Sequence, residues 1–393
     1  MSFPKHACAV ALLLAGCGGG GGDDDDGSAA MSFPLVSVEG ITYTTNITLG
    51  GSQKFDVVLD TGSTTLAVAG TNCSNCGVTP AYAPGSTGSD QHSTSSAEYG
   101  DQSMWQAENF SDTVAITGDS SLTMRFASIT SQTGFFRQGV PSEGILGMGG
   151  DALASPGTDA YIAERTKSSF GDNFAVSLCV GDGTLWFGAP DKSREASAEA
   201  YTPLVQITSE PSYYAVDVSS AGIGSASLGI SGDAVVDTGT SIMVLSTAQV
   251  NAMISAVEGS PNYSAAFGTQ TLSGSSTNID CLTSSMTAAQ VDAMLPPFTL
   301  TLPDTGTGSF TLSLPATQSY LFPLDGQFCF GVASVDGLPT ILGDSFLHGV
   351  VAIFDVDKSQ IGFAAQTGCA ASSATKAFDH PGHLPWMIRG HEL

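Results

Sequence analysis

Two stretches of this chain end an apolar run on an acid. One is Val57-Val58-Leu59-Asp60-Thr61-Gly62-Ser63 and the other is Ala234-Val235-Val236-Asp237-Thr238-Gly239-Thr240. An Asp at the end of a buried strand is costly unless it is hydrogen-bonded or put to use. The arrangement stands once in each half of the chain, so each half is expected to lend one carboxylate to a shared site. Two carboxylates held close cannot both ionise easily; they share a proton and can serve as an acid and a base. The plainer reading, two Asp residues capping turns, fits poorly with flanks that are apolar rather than turn-like.

The elements that position these acids read as strands. Ile41 to Leu49 is β-rich, Gly50-Gly51 signals a turn, and Gln53 to Leu59 returns to deliver Asp60. Each acidic motif is followed by a second one. Glu143-Gly144-Ile145-Leu146-Gly147-Met148-Gly149 follows the first, and Thr340-Ile341-Leu342-Gly343-Asp344 follows the second. A Gly after two apolar residues lets another backbone pass closely. This internal repeat divides the chain into two lobes, 35–200 and 201–369. The stretch from Gly188 to Ala200 is polar, and Tyr201-Thr202-Pro203-Leu204 opens a new strand region.

Composition narrows the function. The chain has 393 residues, 42% hydrophobic and only 12% charged, so two ordinary domains with large cores are affordable and disorder is not expected. With 37 acidic against 11 basic residues the formal charge is −26, which excludes nucleic acid as a partner. It suits work at low pH, where protonated carboxylates stop repelling one another; solubility alone is the other reading. There is no Gly-x-Ser-x-Gly and no His-Glu-x-x-His. His380 and His383 lack further ligands nearby, so no metal and no cofactor are expected.

The N-terminus reads as an export signal over 1–17. Lys5 and His6 precede a short apolar run that ends Leu14-Ala15-Gly16-Cys17, which looks like a bacterial lipobox. Cys17 would then be lipidated and tie the protein to the cell envelope, and the Gly/Asp-rich stretch 18–34 would be a flexible tether. Ordinary secretion with an incidental Cys is the alternative, and both place the protein outside the cytoplasm. Membrane association is expected only through such a lipid. Past Cys369 the tail 370–393 shows no pattern. Six cysteines remain beyond the signal, an even number that suits disulfides in an exported chain. Cys73-Ser74-Asn75-Cys76 can close a small disulfide loop or serve as a redox or half-zinc motif; no second such pair accompanies it.

Taken together, Asp-Thr-Gly-Ser, the intervening Tyr99-Gly100, Asp-Thr-Gly-Thr-Ser and the late Ile-Leu-Gly-Asp resemble the pepsin-like aspartic proteases over roughly residues 38 to 366. Val350 to Asp355 and Ile361 to Ala364 look like that family's closing strands. The resemblance implies an all-β, two-lobed fold with pseudo-two-fold symmetry and a central cleft, Asp60 facing Asp237 across it. It implies an aspartic endopeptidase acting on extended polypeptides as a monomer. Thr61 and Thr238 would brace the two loops, with Gly62 and Gly239 beside them. Ser63 and Thr240 would hold the outer carboxylate oxygens. Tyr99 and Gly100 would lie in a β-hairpin flap closing over substrate. Cys281 would pair with Cys329 as in the family, Cys73 with Cys76, and Cys179 is left for Cys369.

The chain departs from the family in two places. Seven residues after the first catalytic Asp the family commonly has a Trp that holds the flap Tyr hydroxyl; this chain has Ala67, with Trp105 nearby in sequence. A loosely held flap is expected, and Ala67→Trp is expected to tighten it. A basic prosegment is also missing between Cys17 and the first strands, so self-inhibition by one is not expected. The rival from another class is a catalytically silent two-lobed cell-surface binding protein. Such relatives usually lose an Asp or its neighbours, and this chain keeps both triads.

Overall fold

The computed structural model describes residues 31–136, 141–150, 153–168, 171–207, 210–275 and 278–367. The expected signal with Cys17, most of the tether, Cys369 and the tail lie outside the described residues. The first strand is Met31–Val38, so the last four residues assigned to the tether are strand instead. The reason is alternation: Phe33 and Leu35 are buried while Ser32, Pro34 and Val36 face outward. Pro34 pairs with Thr184 on one side and has no ladder partner on the other, where the second pairing begins only at Val36.

Six antiparallel strands form a sheet shared by the two lobes. Met31–Val38 pairs with Asp182–Phe187, which pairs with Phe174–Cys179. Phe174–Cys179 then meets Val350–Asp355, and the sheet continues through Gln360–Ala365 to Ala200–Ile207. Each half of the chain supplies three strands in the same relative order. The strands are apolar on alternate or both faces, and Phe174 stacks on Phe354 at 4.5 Å between ring centroids across the seam.

Above this sheet each lobe repeats one arrangement. In the first, Gln53–Asp60 runs parallel to Gly144–Gly147, and Leu66–Ala69 runs antiparallel to Gly144–Gly147. In the second, Gly232–Val236 runs parallel to Thr340–Leu342, and Met243–Leu245 crosses it antiparallel. In each set the third strand in chain order lies between the first two, and the acidic loop that joins those two passes over its end. Most of the buried apolar side chains of both lobes join one continuous core. Ser89–Glu98 and Met104–Ile116 form a long hairpin in the first lobe, with Ala97 opposite Trp105 and Glu98 opposite Met104. In the second lobe Cys281 and Cys329 are directly opposed and disulfide-bonded.

Candidate active site

Asp60 ends its strand, Asp237 immediately follows the equivalent one, and both are fully buried. Their surroundings are near duplicates. Gly62 N–H and Ser63 Oγ donate to the two oxygens of Asp60 at 2.8 and 2.5 Å. Gly239 N–H and Thr240 Oγ1 donate to those of Asp237 at 2.7 and 2.5 Å. One main-chain and one hydroxyl donor thus offset the cost of burying each carboxylate.

The intervening threonines lock the loops together. Thr61 N–H donates to Thr238 Oγ1 at 3.1 Å and Thr238 N–H to Thr61 Oγ1 at 3.0 Å. Each hydroxyl then donates to a carbonyl of the opposite lobe, Thr61 to Val236 and Thr238 to Leu59. This exchange brings the acids face to face. A Cβ added to Gly239 would stand 2.2 Å from an oxygen of Asp60, so no side chain fits. The glycines of the later motifs answer the same demand. A Cβ on Gly147 would meet the Thr64 backbone at 2.3 Å, and one on Gly343 would meet the Thr240 carbonyl oxygen at 2.4 Å.

Burial is the largest cause raising both carboxyl pKa values, and the charge of Asp237 raises Asp60 further. The donors from Ser63, Thr240, Gly62 and Gly239 oppose it. The pair therefore titrates as a unit that holds one proton into the range where isolated carboxyls are ionised.

A third acid was not singled out from the sequence. Asp344 follows Gly343, is buried, and its N–H donates to the Thr240 carbonyl at 2.8 Å. Neither of its carboxyl oxygens has a hydrogen-bond partner among the described residues, and burial with the charges of Asp237 and Asp60 pushes its pKa well up. One helical turn on, buried His348 places Nε2 2.8 Å from the hydroxyl of Tyr43, on the other lobe. Tyr43 also donates to the Cys179 carbonyl at 2.8 Å. The Ile-Leu-Gly-Asp motif carried a signal for Asp344, since an acid there follows a buried apolar run; nothing local marks His348.

Tyr99 lies at the tip of the long hairpin, where its N–H donates to the Ser103 carbonyl and Gln102 N–H donates back to its own. Gly100 follows it in the turn. The expectation of a loosely held Tyr99 is corrected by the structure. Trp105 Nε1 donates to the Tyr99 hydroxyl at 3.0 Å, both side chains are buried, and Phe135 stacks on the Tyr99 ring at 5.7 Å. The donor comes from the second strand of the same hairpin. Trp105 sits opposite Ala97, so its side chain shares a face with Tyr99. That parity was a usable sequence signal. Ala67 is itself fully buried among Val58, Ala127, Ile145 and these aromatics, so an indole there would overpack the cluster rather than tighten it.

Of the expected disulfides, Cys73–Cys76 and Cys281–Cys329 are formed. Cys179 is disulfide-bonded, and its expected partner Cys369 lies outside the described residues.

Two β lobes that each present a hydroxyl-braced Asp to one shared centre define an aspartic-type endopeptidase. Comparison with known proteins agrees: the eukaryotic aspartyl protease family model matches residues 42–366, and the chain belongs to that family. It is 30% identical over 336 residues to an aspartic protease of Phaffia rhodozyma, covering 82% of this chain and 76% of that one. Penicillopepsin-1 of Talaromyces stipitatus is 29% identical over 332 residues, covering 82% and 78%. Candidapepsin-3 of Candida albicans is 26% identical over 365 residues, covering 85% and 82%.

Proposed function

We propose that Asp60 and Asp237 hydrolyse peptide bonds in extended polypeptides at acidic pH. The observation that carries this is their burial face to face, with the protonation of each raised by the same enclosure. A water bound between them gives a proton to the ionised carboxylate as its oxygen attacks the peptide carbonyl carbon. The protonated carboxyl donates to the carbonyl oxygen, so a neutral tetrahedral species forms. A proton then passes to the nitrogen, the C–N bond breaks, and the dyad returns to one shared proton. No covalent intermediate is needed. Ser63 and Thr240 hold the outer oxygens, Thr61 and Thr238 fix the spacing, and the Tyr99-Gly100 turn closes over substrate.

Denatured globin cleavage at roughly pH 3 to 5, blocked by a statine-type transition-state mimic, tests the reaction. Asp60→Asn and Asp237→Asn should each abolish cleavage while the protein stays folded, and the double variant should be little worse. Wild-type activity in either single variant refutes the assignment. The protein acts outside the cytoplasm in this reading, supported by its disulfides, by the signal-like N-terminus and by a relative named secreted aspartic protease 3. A mass spectrum of the mature N-terminus distinguishes lipidated Cys17 from plain secretion.

A further inference from the structure

The hairpin that carries Tyr99 is buttressed from outside by a side-chain clasp. Cys73 and Cys76 close a short loop by their disulfide, and that loop presents Asn75. Asn75 grips Gln132, near the end of the strand Leu122–Thr133, by three hydrogen bonds. Its Nδ2 donates to the Gln132 carbonyl at 2.6 Å, its Oδ1 accepts from Gln132 N–H at 3.1 Å, and its carbonyl accepts from Gln132 Nε2 at 2.9 Å. With its amide nitrogen so engaged, Gln132 turns its Oε1 to the N–H groups of Phe135 and Phe136, at 2.8 and 3.3 Å. Those bonds set the turn that lays the Phe135 ring on Tyr99. Gln132 is also the cross-strand partner of Trp105, whose indole N–H holds the Tyr99 hydroxyl. The path therefore reaches Tyr99 twice, once through Phe135 and once through Trp105.

We infer that Asn75 and Gln132 are positioning residues for the flap: the disulfide loop holds Gln132, and Gln132 holds the two aromatics between which Tyr99 is fixed. This rests on the flap role proposed above for Tyr99. The hydrogen bond from Trp105 to Tyr99 lies within the hairpin and by itself anchors it to nothing else. The stack on Phe135 and the pairing with Gln132 instead tie it to the lobe. Loosening the clasp lowers the fraction of molecules whose flap is set to close, and apparent affinity falls by that fraction while the chemical step is little changed.

Asn75 is exposed, so replacing it leaves the core intact. Asn75→Ala should raise KM for an extended peptide about fivefold, the effect of losing roughly one net hydrogen bond, with kcat within about twofold of wild type. Asn75→Asp keeps the oxygen that accepts from Gln132 N–H and sets a second one against the Gln132 carbonyl, so it should recover part of the loss only where the new carboxyl is protonated and can donate. The activity-independent readout is hydrogen exchange at the Trp105 indole, identified by the resonance that Trp105→Phe removes. Exchange should quicken in Asn75→Ala and, with all proteins compared at one pH acid enough to protonate the new carboxyl, slow again in Asn75→Asp. Unchanged exchange in Asn75→Ala overturns the proposal, and so does faster exchange with an unaltered KM. A wild-type enzyme that cleaves nothing would refute the protease reading and with it the catalytic role of the clasp, while the exchange rates still report whether Asn75 secures Trp105.

Discussion

Burial of His348 should limit how far this fold tolerates acid. Its ring is buried between Tyr43 of one lobe and Phe322 of the other, 6.2 and 6.1 Å between centroids. Burial lowers its pKa to about 4, with a weaker opposing pull from the Gly40 carbonyl. The Tyr43 phenol that touches it is held neutral by burial, and Asp344, one turn earlier, is held protonated in acid by burial and the dyad's charge. In the unfolded chain the same histidine titrates near its ordinary 6.5. Its folded pKa is therefore the lower one. Above about pH 6.5 neither state binds the proton and stability is unaffected. As the pH falls from there the unfolded chain gains a proton that the folded one refuses, and stability drops by about 1.4 kcal/mol per pH unit. The loss levels off below about pH 4, at roughly 3 kcal/mol in all. His348→Gln keeps a polar atom near the Tyr43 hydroxyl and removes the titration. Urea unfolding from pH 7 to 4, with Asp237→Asn in both proteins to stop self-digestion, should show the wild-type histidine losing roughly 3 kcal/mol more than the glutamine variant. Parallel curves for the two proteins would refute the reasoning.

The acids near the dyad act in the opposite sense. The Asp344 carboxyl is raised by burial and by the charges of Asp237 and Asp60, so it costs nothing below about pH 4 and destabilises the fold increasingly as the pH rises. Asp344→Asn should move the alkaline inactivation midpoint upward with little change in acid activity, measured by residual cleavage after incubation across pH. Gly239→Ala should abolish cleavage, because its Cβ would meet the Asp60 carboxylate at 2.2 Å; a folded, active variant in the globin assay would contradict that geometry. Replacing Cys281 and Cys329 by Ser should lower stability by roughly 4 kcal/mol on a loop-closure argument for a separation of 48 residues, read as a lower Tm. Ala67→Trp should lower Tm and leave the enzyme no better at binding peptide, since the site is filled.

What the sequence determined by itself is the local chemistry. An apolar run ending in Asp-Thr-Gly states that a buried strand delivers a carboxylate, because the cost of burying it and the donors that offset that cost sit within three residues. The repeat of that motif, with a Gly later in each half, implied two like lobes, and the Gly147 and Gly343 contacts are the close passes such a residue permits. The first strand was misplaced by four residues because a Gly/Asp stretch hides the onset of alternation at Phe33 and Leu35. Tertiary structure alone decided the rest. Thr61 and Thr238 exchange hydrogen bonds across 177 residues, and Tyr43 meets His348 across 305. No local propensity encodes such pairings; they follow from how two apolar surfaces close on one sheet. Trp105 is the intermediate case. It lies six residues from Tyr99, yet only the hairpin's register puts the two on one face, and only packing on Phe135 and Gln132 makes the indole, and not residue 67, the donor that holds the ring.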